Sequence, residues 1–123
     1  MTIQEAAQRS GLSAHTLRYY ERIGLIHSVG RNSSGHREYA EQDLQWLEFL
    51  TRLRMTGMPI AEMCRYAELR RMGEHTADER RELLERHREH VRSRIAQLSQ
   101  DLAVLDYKIE SYREQGCSPR TLL

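Results

Sequence analysis

The stretch that decides the fold of this chain is LSAHTLRYYERIGLI, residues 12–26. Ser13 is a favourable helix N-cap and Gly24 a favourable stop, so the sequence predicts a short helix that ends near Arg22. On a helical wheel Leu17 faces inward with Ile23 beyond it. The opposite face holds Ala14, His15, Arg18, Tyr19 and Arg22. Such a division is typical of a helix that enters a nucleic-acid groove.

The polar face of this helix has the chemistry that DNA contacts need. Arg18 can donate to a guanine edge or to a phosphate, and tyrosine hydroxyls can reach phosphate oxygens. The DNA contacts predicted from this segment are Ser13, His15, Thr16, Arg18, Tyr19 and Tyr20, with the Tyr20 ring partly buried. The alternative is an ordinary solvated helix face with one tyrosine in the core.

The segments on either side complete a small domain. Thr2 and Glu5 form a capping box that opens a first helix over about Ile3–Arg9, with Gly11 after it. Residues 27–39 are rich in Gly, Ser and Asn and predict a hairpin with residues 32–35 at its tip. Its polar side chains suggest a wing against the DNA backbone or minor groove, with Arg31, Arg37 and Tyr39 as contacts. A solvent-exposed loop is the alternative.

Two further helices follow the hairpin. Leucines at 44, 47, 50 and 53 recur at helical spacing and predict a third helix over about Glu41–Met55. Pro59 suits the first turn of a fourth helix that extends to about Met72. Its expected inner face consists of Ile60, Met63 and Ala67. Arg54, near Gly57, is a candidate phosphate contact, although such a residue can be plain surface charge.

The remainder of the chain predicts one long charged helix. Thr76 and Glu79 form a second capping box, and no Gly or Pro occurs from there to Gln115. Apolar residues step by seven and then alternately by four and three, which is the spacing of a coiled-coil seam with Arg88 as its polar member. The predicted dimerisation residues are Leu84, Val91, Ile95, Leu98, Leu102, Leu105, Ile109 and Tyr112. A seam this long cannot be buried on the small first part, so it predicts a homodimer without fixing strand orientation.

Composition narrows the classes of protein. The 123 residues have a net charge of +1, so nucleic-acid binding requires a local basic patch. No apolar run is long enough to span a membrane and no signal peptide is recognisable at the N-terminus. Two cysteines do not make a disulfide framework, and we expect a cytoplasmic protein with reduced thiols.

The sequence offers little for metal or catalytic chemistry. Cys64 lies one position from the apolar face of the fourth helix, and Cys117 follows the long helix. They are the candidate sensor thiols, but neither belongs to a CxxC pair. His87 and His90 are three residues apart on a charged stripe, which favours a solvated face over a metal site. We expect no metal, no cofactor and no enzymatic activity, because no nucleophile, base and acid form a recognisable set.

Three motifs resemble those of the MerR family of bacterial transcription regulators. LRYYERIGLI, residues 17–26, resembles the family's recognition-helix signature. GHREY at 35–39 resembles its wing motif, and LRMTGMPI at 53–60 resembles the junction of its third and fourth helices. The resemblance covers about residues 1–73, and the long helix fits the family's dimerisation helix in position and length.

The resemblance implies a mode of action. Family members bind as two-fold dimers through an antiparallel coiled coil, and they distort an overlong promoter spacer so that RNA polymerase can engage both promoter elements. Carried over, Arg18 and Tyr19 contact the major groove, Tyr20 supports them, Arg37 holds the wing on the backbone, and Arg54 clamps a phosphate.

The resemblance also bears on the effector. The metal-sensing members place a ligand near the start of the dimer helix and paired cysteines after it, whereas this chain has GEHT at 73–76 and the single Cys117. Its length and helix start are more similar to the short aldehyde- and thiol-stress branch. That branch often has a reactive cysteine in the third helix, where this chain has Thr51, Arg52 and Leu53.

The sequence therefore predicts an all-α fold with a small β wing, a winged helix-turn-helix domain followed by a long coiled-coil dimerisation helix. Its expected divisions are residues 1–73, 74–117 and a tail at 118–123. The expected function is a homodimeric, sequence-specific regulator on a pseudo-palindromic promoter operator. Two alternatives remain: a metal-binding or thiol-redox protein centred on Cys64 and Cys117, and a coiled-coil adaptor without a DNA role.

Overall fold

A computed structural model describes residues 1–26, 30–31, 33–35 and 37–116 of the chain, apart from the side chain of Arg37. Its elements in chain order are α1 (Ile3–Ser10), α2 (Ala14–Arg22), β1 (Gly30–Arg31), β2 (Arg37–Glu38), α3 (Glu41–Met55), α4 (Ile60–Met72), a 3₁₀ turn (Glu74–Thr76) and α5 (Ala77–Glu114). The fold is mainly helical, as the sequence predicts. Contacts divide the chain into a first unit, Met1–Glu85, and a second unit that begins at Arg86.

Side-chain caps set the starts of the first two helices. The Glu5 amide donates to Thr2 Oγ1 at 3.1 Å, and the Thr16 amide donates to Ser13 Oγ at 3.0 Å. Each bond satisfies one of the amides that a helix N-terminus leaves without a partner. Gly11 follows α1 in the left-handed region, at φ 78°, a conformation that glycine adopts without steric cost. Both starts are those that the sequence predicts.

The core of the first unit lies between α1, α2, α3 and α4. The four leucines of α3 at 44, 47, 50 and 53 are at most 5% exposed, and Leu17 of α2 and Ala6 of α1 are fully buried. α1 contacts both α2 and α3, and α3 contacts α4. The spacing of these residues at one side of each helix accounts for the packing. Leu25 and Ile26, at 1% and 3% exposure, complete the core directly after α2.

The inner face of α4 differs from the predicted one at its first position. Met63 and Ala67 are buried as predicted, whereas Ile60 is 42% exposed. Met58, in the turn before α4, is 4% exposed and joins the core instead. Pro59 precedes the helix as its N-cap residue and does not belong to its first turn. Leu69, which the sequence analysis did not single out, is 1% exposed.

Thr76 has a different role from the predicted helix cap. Its side chain is buried, and Oγ1 lies 2.6 Å from the Leu69 carbonyl oxygen and 2.8 Å from that of Gly73. Arg80 Nε donates to the same hydroxyl oxygen at 3.1 Å. The shorter of these two bonds supplies a donor to the Leu69 carbonyl in the last turn of α4, where helix carbonyls lack partners within the helix. The capping-box interpretation of Thr76 and Glu79 was therefore wrong.

The first turns of α5 belong to the first unit, and the rest of the helix belongs to the second unit. Leu83 is 6% exposed in the core, and the half-buried Leu84 packs against that core. From Arg86 onward the helix is largely exposed. In the part of the chain that the structure describes, no helix is long and apolar enough to cross a membrane.

Candidate nucleic-acid interface

The polar face of α2 is exposed while its other face is buried. His15, Arg18 and Arg22 are exposed, and the Tyr19 side chain is 38% exposed. Leu17 and Tyr20 are at most 2% exposed on the opposite side. The helix is therefore fixed by its apolar side and presents a basic, aromatic surface, as the sequence predicts.

Two features pre-arrange this surface for an anionic partner. The guanidinium carbon of Arg22 lies 5.5 Å from the centre of the Tyr19 ring, which restricts both side chains. The first turn of α2 contains no acidic residue, so the positive end of the helix dipole is not neutralised there. Ser13 and Thr16 stand at this end, with their hydroxyl oxygens 2.9 Å apart. A phosphate group is the kind of anion that such a helix end attracts.

The structure corrects the placement of two predicted contact residues. Tyr20 and Tyr39 are each only 2% exposed, so their rings lie beneath the surface. The Tyr20 hydroxyl is buried and has no hydrogen-bond partner among the described residues. The Tyr39 backbone pairs with the N-terminus, because its amide donates to Met1 O at 2.7 Å and its carbonyl accepts from the Met1 amino group at 2.8 Å. Both tyrosines thus act in packing.

The short hairpin corresponds to the predicted wing. β1 and β2 are antiparallel, with Gly30 opposite Glu38 and Arg31 opposite Arg37. Arg31 is exposed, and its Nη1 donates to the Gly35 carbonyl at 3.1 Å within the hairpin. Gly35 has φ +81°, which favours glycine. Asn32, His36 and the Arg37 side chain lie outside the described part.

The remaining predicted site residues are placed as follows. Arg54 is exposed in the last turn of α3, beside the turn to α4. Cys64 is half-buried, and its Sγ lies 3.9 Å from the Ile23 carbonyl oxygen at the end of α2. Cys117 lies outside the described residues. Within the described ranges, no group of three His, Cys, Asp or Glu side chains is arranged to hold a metal ion.

Most of the predicted seam of α5 is open in the single chain. Ile95, Leu98, Leu102, Leu105 and Ile109 are between 49% and 62% exposed. Val91 and Tyr112 are half-buried, and Arg88 is exposed. Leu84 differs because it packs on the core of its own chain. Val104 and Tyr107 are also exposed, at 62% and 72%, but they lie off the seam at its c and f positions.

A helix-turn-helix with an exposed basic recognition helix and a small wing defines a DNA-binding protein. The family described as "MerR HTH family regulatory protein" matches residues 1–69, and that described as "MerR, DNA binding" matches residues 44–107. The chain belongs to the MerR family, and it is a DNA-binding transcriptional regulator.

Individual relatives agree with this assignment. An uncharacterized HTH-type transcriptional regulator of Haemophilus influenzae is 40% identical over 92% of this chain and 84% of its own length. The transcriptional regulator AdhR of Bacillus subtilis is 43% identical over 68% of this chain and 60% of its own length. The crystal structure of HiNmlR is 38% identical with a TM-score of 0.86, and it covers 95% of this chain and 93% of its own. HiNmlR is described as a MerR family regulator that lacks the sensor domain and is bound to promoter DNA.

Proposed function

We propose that this regulator binds promoter DNA with α2 in the major groove. The observation that supports this most directly is the exposed face of His15, Arg18, Tyr19 and Arg22 on a helix whose other side is buried. Arginine and tyrosine are suited to base edges and phosphates, and the burial of Leu17 holds the helix at a fixed depth. The similar protein HiNmlR, which was crystallised on promoter DNA, supports the same proposal.

We assign the phosphate contacts outside α2 to the wing and to the last turn of α3. Arg31 and Arg54 are exposed, and Arg37 is in the hairpin strand opposite Arg31. Contacts of this kind position a protein on the duplex and do not read its sequence. We therefore expect Arg18 to contribute to specificity and Arg37 and Arg54 to contribute mainly to affinity.

The proposed functional form is a homodimer held by the exposed seam of α5. Five large apolar side chains from Ile95 to Ile109 are about half exposed or more and recur at heptad spacing. A continuous apolar stripe of this kind is covered in stable proteins, and a second copy supplies the matching stripe. Val91 and Tyr112 extend the proposed interface at its ends.

Charges beside the seam favour antiparallel pairing. With Ile95, Leu102 and Ile109 at a positions, Asp101 and Lys108 occupy g, and Asp106 and Arg113 occupy e. In a parallel dimer each g residue faces the partner's e residue five positions later, so Asp101 would face Asp106 and Lys108 would face Arg113. Both are like-charge pairs, and each occurs twice by symmetry. Antiparallel pairing separates these like charges, because each e residue then faces an e residue of the partner and each g residue faces a g residue of the partner.

The proposed output is a change in promoter shape that RNA polymerase detects. Two α2 helices held by one dimer can bend or untwist the DNA between the half-sites, and the energy depends on how that DNA deforms. An effector would shift the balance between two arrangements of the dimer. The proposed site of action is the cytoplasm, where a bacterial chromosome is found. We assign no catalytic step to the protein.

The test of this function is selection of bound genomic fragments by the purified 123-residue chain. Recovery of fragments that share a two-fold symmetric site next to a promoter is the expected result. Fragments recovered without a common site would contradict sequence-specific recognition. The same experiment run with Arg18→Ala shows whether recovery depends on α2.

A further inference from the structure

A cavity of about 410 Å³ is lined by the start of α3 and the end of α4, away from the turn that joins these two helices and from Arg54 beside it. Its lining comes from the start of α3, the end of α4 and the segment after α2, and includes Leu25, Asp43, Trp46, Ala67, Arg70 and Arg71. Trp46 and Arg54 are eight positions apart on α3, which is about 12 Å along a helix. The cavity is therefore separate from the proposed phosphate contact at Arg54.

Trp46 forms a rigid, flat wall of this cavity. Its Nε1 donates to the Leu25 carbonyl at 2.7 Å, which fixes the orientation of the indole. The Tyr66 ring stacks with it at a centroid distance of 6.0 Å and an interplanar angle of 17°, and Phe49 lies 6.1 Å away. A held aromatic ring with apolar neighbours such as Leu25 and Ala67 suits a planar apolar group.

Arg70 and Arg71 supply positive charge beside this wall. The Arg70 guanidinium carbon is 4.3 Å from the centre of the Trp46 ring, and no carboxylate pairs with Arg70 within the described ranges. Arg71 Nη1 donates to the Gly24 carbonyl at 2.6 Å. By contrast, Arg65 on the same helix is paired with Glu68 and Glu79. The two cavity arginines therefore retain N–H groups that can bind an anion.

The one carboxylate in the lining already has a structural role. Asp43 Oδ2 accepts from the Ala40 amide at 2.7 Å and so caps the start of α3. Two guanidinium groups and one carboxylate leave the cavity with a net positive charge. The volume lies within the range of about 300–1,000 Å³ that is usual for small-molecule sites.

We propose that this cavity binds a small planar organic anion, an aromatic or conjugated carboxylate. The planar part lies against Leu25 and Ala67, beside the Trp46 indole that the Arg70 guanidinium covers, and the carboxylate accepts hydrogen bonds from Arg70 and Arg71. Arg71 also donates a hydrogen bond to the Gly24 carbonyl, in the turn after α2. A bound anion that accepts a hydrogen bond from the same guanidinium therefore changes the contact between α4 and the turn after the recognition helix. This last consequence rests on the proposed function, whereas the binding itself does not.

The test is isothermal titration calorimetry of the 123-residue chain with trans-cinnamate, and with neutral cinnamamide as the matched compound. We expect millimolar or tighter binding of cinnamate and about tenfold weaker binding of the amide. Arg70→Gln should weaken cinnamate binding about tenfold, whereas the control Arg65→Gln, on the same helix, should bind like wild type. Because Trp46 is the only tryptophan in the chain, a change in its fluorescence on titration locates the ligand.

Two results would overturn the proposal. One is the absence of cinnamate binding to folded wild type. This result would also be obtained if a partner chain filled the cavity, and it would overturn the proposal in that case too. The other is equal binding by wild type and Arg70→Gln, or by cinnamate and cinnamamide. DNA binding is measured separately without cinnamate, so a failure of the proposed function leaves the calorimetric result interpretable.

Discussion

Arg71 in the last turn of α4 donates a hydrogen bond of 2.6 Å to the carbonyl oxygen of Gly24, directly after the recognition helix. Gly24 has φ +88°, which lets the chain reverse so that the amides of Leu25 and Ile26 both donate to the Tyr20 carbonyl. The bond from Arg71 thus links α4 to the turn that ends α2. Residues 47 positions apart in sequence hold the proposed DNA-reading helix in place.

Arg71→Gln should lower the free energy of unfolding by about 1 kcal/mol, because it removes a charge-assisted hydrogen bond at a partly solvated carbonyl. Urea unfolding followed by circular dichroism measures the effect. Arg52→Gln is the control. The Arg52 side chain is exposed on α3 and forms no hydrogen bond or ion pair with the residues that the structure describes. Equal stability of the two variants would show that the bond to Gly24 contributes nothing.

Loss of the hydroxyl should affect DNA affinity at Tyr19 but not at Tyr20, the adjacent tyrosine of α2. Tyr20→Phe removes a buried hydroxyl without a partner in the described structure, so stability should be unchanged or higher by about 1 kcal/mol, and DNA affinity unchanged. Tyr19→Phe removes an exposed hydroxyl and should weaken DNA binding with little effect on stability. The measurements are thermal unfolding and fluorescence anisotropy. Reduced DNA affinity of Tyr20→Phe would restore the sequence interpretation of Tyr20 as a contact.

Leu98→Glu combined with Leu105→Glu should convert the dimer to a monomer, because charges would face the apolar seam of the partner. Val104→Glu combined with Tyr107→Glu is the matched control, since these side chains are at least as exposed as Leu98 and Leu105 but lie off the seam. Sedimentation equilibrium measures the mass of each variant. A monomeric wild type, or dissociation by both pairs alike, would contradict the proposed interface.

The ion pair between Arg9 and Glu41 should make stability depend on acid pH. Two hydrogen bonds of 2.8 and 3.1 Å join the side chains, and the bond from Arg9 lowers the pKa of the Glu41 carboxyl from its ordinary value. Since the folded pKa lies below the unfolded value of about 4.3, the stabilisation is present above that pH and is lost as the pH falls through the folded pKa. Arg9→Gln should therefore be less stable than wild type near neutral pH, with the difference vanishing in acid.

The Glu41 titration checks this directly by nuclear magnetic resonance. The pKa of the Glu41 carboxyl should rise in Arg9→Gln. It should remain low in the control Arg52→Gln, because Arg52 does not pair with Glu41. An unchanged pKa of Glu41 in Arg9→Gln would show that the pair does not persist in solution. Both side chains are largely exposed, so added salt should also reduce the difference.

Local signals predicted much of the fold. The caps at Thr2 and Ser13 and the leucine spacing of α3 act within a few residues, and the predicted bounds of Glu41–Met55 agree with the structure. The sequence predictions were wrong at positions where contacts between distant elements determine whether a side chain is buried. Ile60 is exposed because Met58 fills the core, and Thr76 is buried because its hydroxyl bonds to the end of α4.

The exposed face of the candidate site was predictable to a similar degree. It follows from helical periodicity, so the sequence predicted that His15, Arg18, Tyr19 and Arg22 share the exposed side of α2, and their contact with DNA stays a prediction. The burial of Tyr39 depends on its pairing with the N-terminus, 38 residues away, which no local pattern indicates. The cavity at Trp46 was missed for the same reason, because its walls come from three separate segments.

Wing and helix contacts should differ in their dependence on DNA sequence. Arg37→Ala should weaken binding to operator and random duplexes alike and reduce the salt dependence by about one unit of log–log slope, because a phosphate contact releases counterions from any sequence. Anisotropy titrations over a range of salt concentrations measure this. A loss confined to the operator would instead assign base recognition to Arg37.

The most direct test of the central claim is the affinity of Arg18→Ala for the selected operator, measured by anisotropy beside a random duplex of equal length. If α2 reads the DNA, operator binding weakens by about 1–3 kcal/mol and the preference over random duplex shrinks, while Arg65→Gln binds like wild type. Unchanged operator affinity and preference in a folded, dimeric Arg18→Ala would contradict recognition by this helix face.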